Sequence, residues 1–147
     1  MIKGLYILLI AVLLGSCDSN RLYEKNISID NDMWSLEQMP NFEFENTDTI
    51  SEVNLILNIR HSSIYPFSNL WVFIHILSPS GATQVDTLET TLSQKDGKWL
   101  GDGLGDIWDL QVLFKKVRLN ESGTYSFKIE QAMRHGNLSK IEQLPGV

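Results

Sequence analysis

Two strongly apolar stretches in the middle of the chain decide the fold. They read Val53-Asn54-Leu55-Ile56-Leu57-Asn58-Ile59-Arg60 and Leu70-Trp71-Val72-Phe73-Ile74-His75-Ile76-Leu77. In the first stretch every second residue is apolar, which is the period of a β-strand with one buried face. The second stretch is apolar, aromatic or β-branched almost throughout, which favours a strand buried on both faces and places Trp71 in the core. Both stretches therefore predict β structure.

Strand-like segments and turn signals alternate outward from these two stretches. Turns are predicted at 78–81, 95–98 and 120–123, and further strands at 83–91, 110–119 and 124–133. Residues 30–39, which end before Pro40, are the best candidate for a helix, although their caps are weak. About eight strands joined by short turns predict an all-β fold, an antiparallel β-sandwich. We favour a jelly-roll-like order over an immunoglobulin-like one, because the Cys…Trp…Cys pattern of immunoglobulin cores is absent.

The N-terminus has the pattern of a bacterial lipoprotein signal peptide. Lys3 precedes an apolar run over residues 5–14, which as a helix would reach only about 15 Å, roughly half of a bilayer's hydrocarbon core. Leu14-Gly15-Ser16-Cys17 follows at once and holds the only cysteine of the chain. An aliphatic residue, two small residues and a cysteine form a lipobox, in which the thiol accepts a diacylglyceryl group and the small residues admit the signal peptidase. We expect cleavage between Ser16 and Cys17, and lipid on Cys17.

These signals divide the chain into three parts. We expect a signal peptide at 1–16, a lipidated tether at 17–27 and a β-sandwich domain at 28–147. Two or three acyl chains, each contributing about 0.8 kcal/mol per buried CH₂, hold a protein on a bilayer almost permanently. The sequence therefore predicts a lipid-anchored protein of the cell envelope, at the outer membrane, that contacts the membrane through Cys17.

Composition excludes several classes of function. The 147 residues include 18 Asp or Glu against 12 Lys or Arg, so a nucleic-acid partner, which needs a basic footprint, is not expected. A single cysteine allows no internal disulfide and no cysteine-based metal centre. His61, His75 and His135 lack the spacing of a zinc site, and the Gly-x-Ser-x-Gly elbow of many hydrolases is absent. The sequence predicts no catalytic residue, no metal and no cofactor.

A glycine-rich segment at residues 101–106 is the candidate interaction loop. Trp99 and Trp108 flank it and are expected to be better exposed than Trp71, and Asp102 and Asp106 lie within it. Exposed indole rings stack on sugars and carboxylates bind calcium, so the loop supports an alternative function as a glycan-binding module. Its spacing fits neither an EF-hand nor a phosphate-binding loop, and the rim of a sandwich also explains its glycines. A hydrolase that uses two of the acidic residues is a third alternative, but nothing selects a pair.

Three groups of residues resemble a known family. They are Arg60-His61 with Tyr65-Pro66-Phe67-Ser68-Asn69-Leu70-Trp71, Gly97-Lys98-Trp99 with Gly101-Asp102-Gly103-Leu104-Gly105-Asp106-Ile107, and the ending Leu144-Pro145-Gly146-Val147. With the lipobox, these motifs resemble the gliding-motility lipoprotein family GldH of the Bacteroidota over nearly the whole chain. The resemblance implies a non-enzymatic envelope lipoprotein that acts as a protein-interaction module. Its implied partners are other envelope proteins of the gliding machinery and of the secretion system linked to it.

The resemblance carries two further expectations. Members of the family continue past the Leu-Pro-Gly-Val segment into a last strand, so we expect that this sequence is either truncated at Val147, which we favour, or lacks that strand. A missing strand would leave a sheet edge unpaired. In addition, Asp48-Thr49-Ile50 and Asp86-Thr87-Leu88 resemble the Asp-Ser/Thr-apolar signal for O-glycosylation in the periplasm of this phylum. Thr49 and Thr87 are therefore candidate modification sites.

Overall fold

The computed structural model describes residues 21–137 and 139–147, which form nine strands. They are β1 (Met33–Ser35), β2 (Asn41–Asn46), β3 (Glu52–Ser62), β4 (Asn69–Leu77), β5 (Thr83–Thr91), β6 (Asp102–Leu104), β7 (Ile107–Arg118), β8 (Gly123–Gln131) and β9 (Gln143–Pro145). The predicted all-β fold is confirmed. Ser16 and Cys17 lie outside the described residues, as does the whole predicted signal peptide. No helix in the described ranges combines the length and apolar character that crossing a bilayer requires.

The strands form two sheets that face each other, with a two-stranded ribbon beside them. The larger sheet has the order β2-β8-β4-β5, the smaller has the order β3-β7-β6, and the ribbon pairs β1 with β9. All pairings are antiparallel. β2, β3 and β4 alternate between the sheets, and so do β7 and β8, which is how strands cross in a jelly roll. The β4–β5 hairpin, in contrast, stays within one sheet.

The core lies between the sheets, where every second side chain of the facing strands points inward. Leu70, Val72 and Ile74 of β4 are buried and pack against Ile59 of β3 and Ile129 of β8. Two further apolar side chains are fully enclosed, Leu92 of the connection after β5 and Leu144 of the ribbon. Two polar ones are enclosed as well, His61 of β3 and Gln131 of β8.

Trp71 is not in the core, contrary to the prediction. It alternates with the buried Leu70 and Val72, so its ring lies on the outer face of the larger sheet and is 38% exposed. Phe73, at the next outward position of β4, is half-buried. The apolar character of β4 on both faces therefore does not reflect burial on both faces, because the outer face of this sheet has no covering layer in the described residues.

The helix considered for residues 30–39 does not form. Asp30–Asp32 make a single 3₁₀ turn, in which Asn31 and Asp32 have φ angles of 55° and 53°, and β1 follows at once. Left-handed residues of this kind cannot continue into a right-handed helix. Trp34 instead enters the core, and its indole N–H donates a hydrogen bond to the Gln38 carbonyl at 2.8 Å. Burial of Trp34 outweighs the weak local preference for helix.

A β-bulge in β7 joins the two sheets at one flank. Ile56 pairs with Leu113 but Leu55 pairs with Lys115, so the extra residue, Phe114, lies in β7. The bulge brings Lys115 towards the larger sheet, where its Nζ donates a hydrogen bond to Asp86 Oδ2 of β5 at 2.8 Å. This hydrogen bond lowers the pKa of the Asp86 carboxyl.

The segment before the first strand lies on the opposite flank, between the edge strands β2 and β3. The Tyr23 ring meets Phe44 of β2 edge-on, with ring centroids 5.7 Å apart. Asn58 Nδ2 of β3 donates a hydrogen bond to Glu24 Oε1 at 3.3 Å, and Ile29 packs against the core. The end of the predicted tether therefore contacts the domain.

Candidate interaction surface at the hairpin end

The predicted interaction loop lies at one end of the sandwich. β6 and β7 form a hairpin through the two residues Gly105 and Asp106, and the positive φ of Gly105, 63°, suits such a tight turn. Ser63, in the connection after β3, fixes the turn. Its N–H donates to the Asp106 carbonyl at 2.8 Å, and its hydroxyl donates to Asp106 Oδ1 at 3.3 Å. We name residues 63–64 and 102–107 the hairpin end.

Three apolar side chains are exposed at the hairpin end. Leu104 is 88% exposed, Ile64 is 69% exposed, and Ile107 is also exposed. Leu104 and Ile107 are directly opposed across the hairpin, and Ile64 follows the residue that is hydrogen-bonded to its turn. The three therefore share one corner of the molecule. An exposed apolar cluster with a polar rim is typical of an interaction site. Sequence reasoning missed these three residues, although Leu104 and Ile107 interrupt a run of glycine and aspartate.

The polar rim of this corner is acidic. Asp102 is directly opposite Asp109, and both are exposed. Arg60 of β3 binds Asp109 through two hydrogen bonds, Nε to Oδ1 at 2.7 Å and Nη2 to Oδ2 at 2.8 Å, and this contact lowers the pKa of the Asp109 carboxyl. Asp102 and Asp106 remain exposed on the rim. Residues 21–137 and 139–147 contain no cluster of His, Cys, Asp and Glu that could hold a metal ion.

The two tryptophans beside the loop shape it and do not project from it. Trp99 packs against the core, with its ring centroid 4.6 Å from that of His61. The Trp108 ring lies over Gly103 so closely that a Cβ atom there would be 2.6 Å from it. Trp99 and Trp108 are both half-buried, so the expectation that these are the better exposed indoles is wrong, and Trp71 takes that place.

A buried aromatic cluster supports the hairpin end from below. His61 is 1% exposed, and Tyr65 is buried beside it with ring centroids 5.9 Å apart. The Tyr65 hydroxyl donates to the Asn69 carbonyl at 2.8 Å, and burial raises the pKa of this phenol. His61 Nδ1 lies 3.2 Å from the Ser62 carbonyl, while Nε2 has no hydrogen-bond partner among the described residues. His61 and Tyr65 therefore support the hairpin end by packing and are not accessible to a ligand.

The two candidate glycosylation sites lie in different settings. Thr49 is in the β2–β3 turn, where Asp48 Oδ1 accepts hydrogen bonds from the N–H groups of Ile50 and Ser51 at 2.9 and 3.0 Å. The Ser51 hydroxyl and these N–H groups lower the pKa of Asp48 to about 2. Thr87 is exposed in the middle of β5, opposite Phe73. Only Thr49 therefore lies in a turn, and it is half-buried there.

The comparisons with known proteins give a consistent family. Residues 21–145 match the family described as GldH lipoprotein. The chain is 37% identical over 138 residues to a gliding motility lipoprotein GldH homolog of Christiangramia forsetii, covering 92% of this chain and 84% of that relative. It is 34% identical over 142 residues to the gliding motility lipoprotein GldH of Flavobacterium johnsoniae, covering 96% and 88%. No solved structure matches the chain.

Proposed function

Since the chain belongs to the GldH lipoprotein family, we propose that it is a non-enzymatic, membrane-tethered interaction module of the gliding apparatus. The family makes it a lipoprotein related to gliding motility. In this proposal Cys17, freed by cleavage after Ser16, carries the lipids that hold the domain at the outer membrane. The hairpin end binds other envelope proteins of the gliding and secretion machinery.

The hairpin end carries this proposal, because it combines exposed apolar side chains with a rigid support. Burying a large aliphatic side chain against a partner contributes about 1.5–3 kcal/mol, and Leu104 and Ile64 are largely free to be buried. Ser63 and Asp106 already fix the turn, so binding orders little additional chain. A lipid tether adds to this by raising the effective concentration of partners on the same membrane.

Cross-linked co-purification of the full-length lipoprotein tests the surface. We expect Leu104→Asp to lower the recovery of other gliding and secretion proteins. Val85→Asp is the matched control, because Val85 is also an exposed aliphatic residue but lies on β5 of the larger sheet. Equal recovery with both variants would argue against the hairpin end as the contact surface.

Replacement of the lipidated cysteine tests the tether separately. We expect Cys17→Ala to abolish retention in the membrane fraction and to stop gliding. Normal gliding by a variant that is no longer retained would contradict the proposed tethering.

A glycan-binding module is the second candidate, and the exposed ring of Trp71 favours it. Trp71 and Phe73 lie at successive outward positions of β4 and form an aromatic strip on which a sugar could stack. We expect polysaccharide or peptidoglycan fragments to quench tryptophan fluorescence in the wild type and less so in Trp71→Ala. Absence of quenching in the wild type would remove this candidate.

O-glycosylation remains a separate proposal, and the turn around Asp48 favours Thr49 over Thr87 as its site. A modifying enzyme reaches a turn more readily than the backbone of a paired strand. Mass spectrometry of the native lipoprotein should find a glycan that Thr49→Ala removes and Thr87→Ala retains. An unmodified native protein would contradict the proposal.

A further inference from the structure

β3 is a long edge strand whose outer edge pairs with no other described strand. In the described part of the chain it pairs with β7 alone, from Glu52 to Ser62. It contains no proline and no lysine, and the bulge of this sheet lies in β7. The other edges differ: β6 has three residues, β2 is flanked by Tyr23, and β5 turns the charged Asp86 inward. Short edges, covered edges and inward charges are the usual protection against pairing. β3 is long and turns no Asp, Glu, Lys or Arg inward, and the contacts along its outer edge in the described residues are those of Asn58 with Glu24 and of Ser62 with Gly146.

The hydrogen bonds show which backbone groups of β3 are available. The Ser62 N–H points away from β7 and donates to the Gly146 carbonyl at 2.8 Å. In an antiparallel pair, successive residues alternate between facing the partner strand and facing away from it. Arg60, Asn58 and Ile56 therefore direct their N–H and C=O groups to the open edge. A further antiparallel strand can pair there without disturbing β7.

The sequence of β3 is self-complementary about Ile56. Asn54-Leu55-Ile56-Leu57-Asn58 reads the same in both directions, the β-branched Val53 and Ile59 flank it, and the oppositely charged Glu52 and Arg60 follow. If two copies of β3 pair antiparallel with a two-fold axis at Ile56, each Glu52, which also pairs with Lys116, faces the other copy's Arg60, which also binds Asp109. Opposite charges and matched apolar residues at directly opposed positions stabilise antiparallel pairs.

The exposed side chains on the outer face of the smaller sheet also favour a two-fold axis at Ile56. Ile56 and Leu113 are directly opposed there and are 53% and 59% exposed. Their neighbours on this face are polar: Asn54, Asn58, Gln111 and Lys116. A two-fold axis at Ile56 would join these two residues to the same two of the other copy in one apolar row across the joined sheet. The dimer would therefore cover two apolar side chains that are exposed in the single chain.

We propose that two copies of this protein associate through β3, antiparallel and in register about Ile56, so that their smaller sheets become one continuous sheet. This interface is isologous, as a two-fold dimer requires. Residues 24–29 and residues 57–62 of β3 line the same cavity of about 510 Å³, so the segment before β1 lies beside this half of the edge and an incoming strand must displace it. The incoming strand replaces the side-chain contact between Glu24 and Asn58. This inference goes beyond the proposed tethering and does not depend on the hairpin end.

Disulfide cross-linking of the full-length lipoprotein in its own membranes tests this pairing. Directly opposed residues that share hydrogen bonds have Cα atoms about 5.5 Å apart, which suits a disulfide. We expect Ile56→Cys to give a dimer on non-reducing electrophoresis after mild oxidation, several-fold above the wild-type background. Leu113→Cys is the matched control on the same face. It lies one strand further out, so the two thiols would be about 14 Å apart and should not cross-link.

The register is tested by Asn54 and Asn58. In either single variant, Asn54→Cys or Asn58→Cys, the thiols of the two copies would be about 14 Å apart. In the double variant, the cysteine at position 54 of each copy lies opposite the cysteine at position 58 of the other. We therefore expect cross-linking only in the double variant, and its loss when Ile56→Lys is added, because two lysines then face each other at the axis. A dimer of Ile56→Cys no stronger than that of Leu113→Cys would overturn the proposal. Equal cross-linking of the single and double variants would also overturn it. None of these cross-linking outcomes depends on whether the Cys17→Ala variant glides, so this proposal and the proposed tethering can fail separately.

Discussion

Gly81 and Gly101 have the same left-handed backbone conformation in different surroundings. Comparing them separates two reasons why a side chain destabilises such a position: the strained backbone and a steric clash. Both have φ of +87°. A Cβ atom on Gly81 would meet nothing within 4 Å, whereas one on Gly101 would lie 2.1 Å from the Asp109 carbonyl oxygen of β7. Gly101 is therefore required for two reasons, the left-handed backbone and the close approach of the loop to β7.

We expect Gly81→Ala to lower the free energy of unfolding by about 1–2 kcal/mol, which is the cost of a left-handed alanine. Gly101→Ala should cost that amount and about 1–3 kcal/mol more, because the loop must move away from Asp109. Urea unfolding of both variants measures the difference. Equal losses would show that the approach of the loop to β7 does not constrain the fold.

Asn46 illustrates a buried polar residue with a defined role. Its side chain is 2% exposed, and its Nδ2 donates to the carbonyls of Leu119 and Glu121 at 2.9 and 2.8 Å. These bonds attach the end of β2 to the connection between β7 and β8. We expect Asn46→Leu to lower the free energy of unfolding by about 1–3 kcal/mol, because two carbonyls lose their donor. The exposed Asn54→Leu should change it little, and similar effects of both would contradict this role.

At the scale of elements, the contact between β5 and the bulge of β7 makes stability depend on pH. The hydrogen bond from Lys115 lowers the pKa of Asp86 in the folded protein. A lowered carboxyl pKa contributes stability that is complete above the unfolded value of about 3.9 and is lost as the pH falls through the lower, folded value. Because both side chains are partly exposed, we expect at most about 1 kcal/mol from the pair.

Lys115→Met removes the charge and keeps most of the side chain. We expect the wild type to be more stable than this variant at pH 7, and the difference to shrink as the pH is lowered below about 4. Denaturant unfolding across this range measures it. Lys116→Met is the control, since Lys116 pairs with Glu52 in a more exposed position. A difference between wild type and Lys115→Met that does not vary with pH would rule out Asp86 as its source.

The sequence predicted long elements well and short ones poorly. β3 was predicted from its alternation of apolar and polar residues, because successive side chains of a strand lie on opposite faces of the sheet. β4 was predicted from its almost continuous apolar run. β1 and β9 have three residues each, too few for a period, and their pairing depends on chain segments more than a hundred residues apart. Trp71 was misplaced because composition cannot show whether an outer face is covered. The hairpin end was located by its glycines, but Leu104 became conspicuous only through its exposure.

At the scale of the whole molecule, the attachment of residues 21–29 limits where the domain can lie. This segment contacts β2 through Tyr23 and β3 through Glu24. The chain between the proposed lipid site, Cys17, and Arg21 spans at most about 14 Å when fully extended. With lipid on Cys17, the flank between β2 and β3 would therefore be held close to the bilayer.

Lengthening the tether separates anchoring from position. We expect a flexible Gly-Ser insertion of about 20 residues after Asn20 to leave membrane retention unchanged, because the lipid is untouched, and to impair gliding. Such a linker adds about 25 Å of average reach, so the domain would leave the membrane surface and its effective concentration near partners would fall. Membrane fractionation and motility assays measure the two effects separately. An insertion of three residues is the control and should glide normally, and full motility with the long linker would show that the distance of the domain from the bilayer is unimportant.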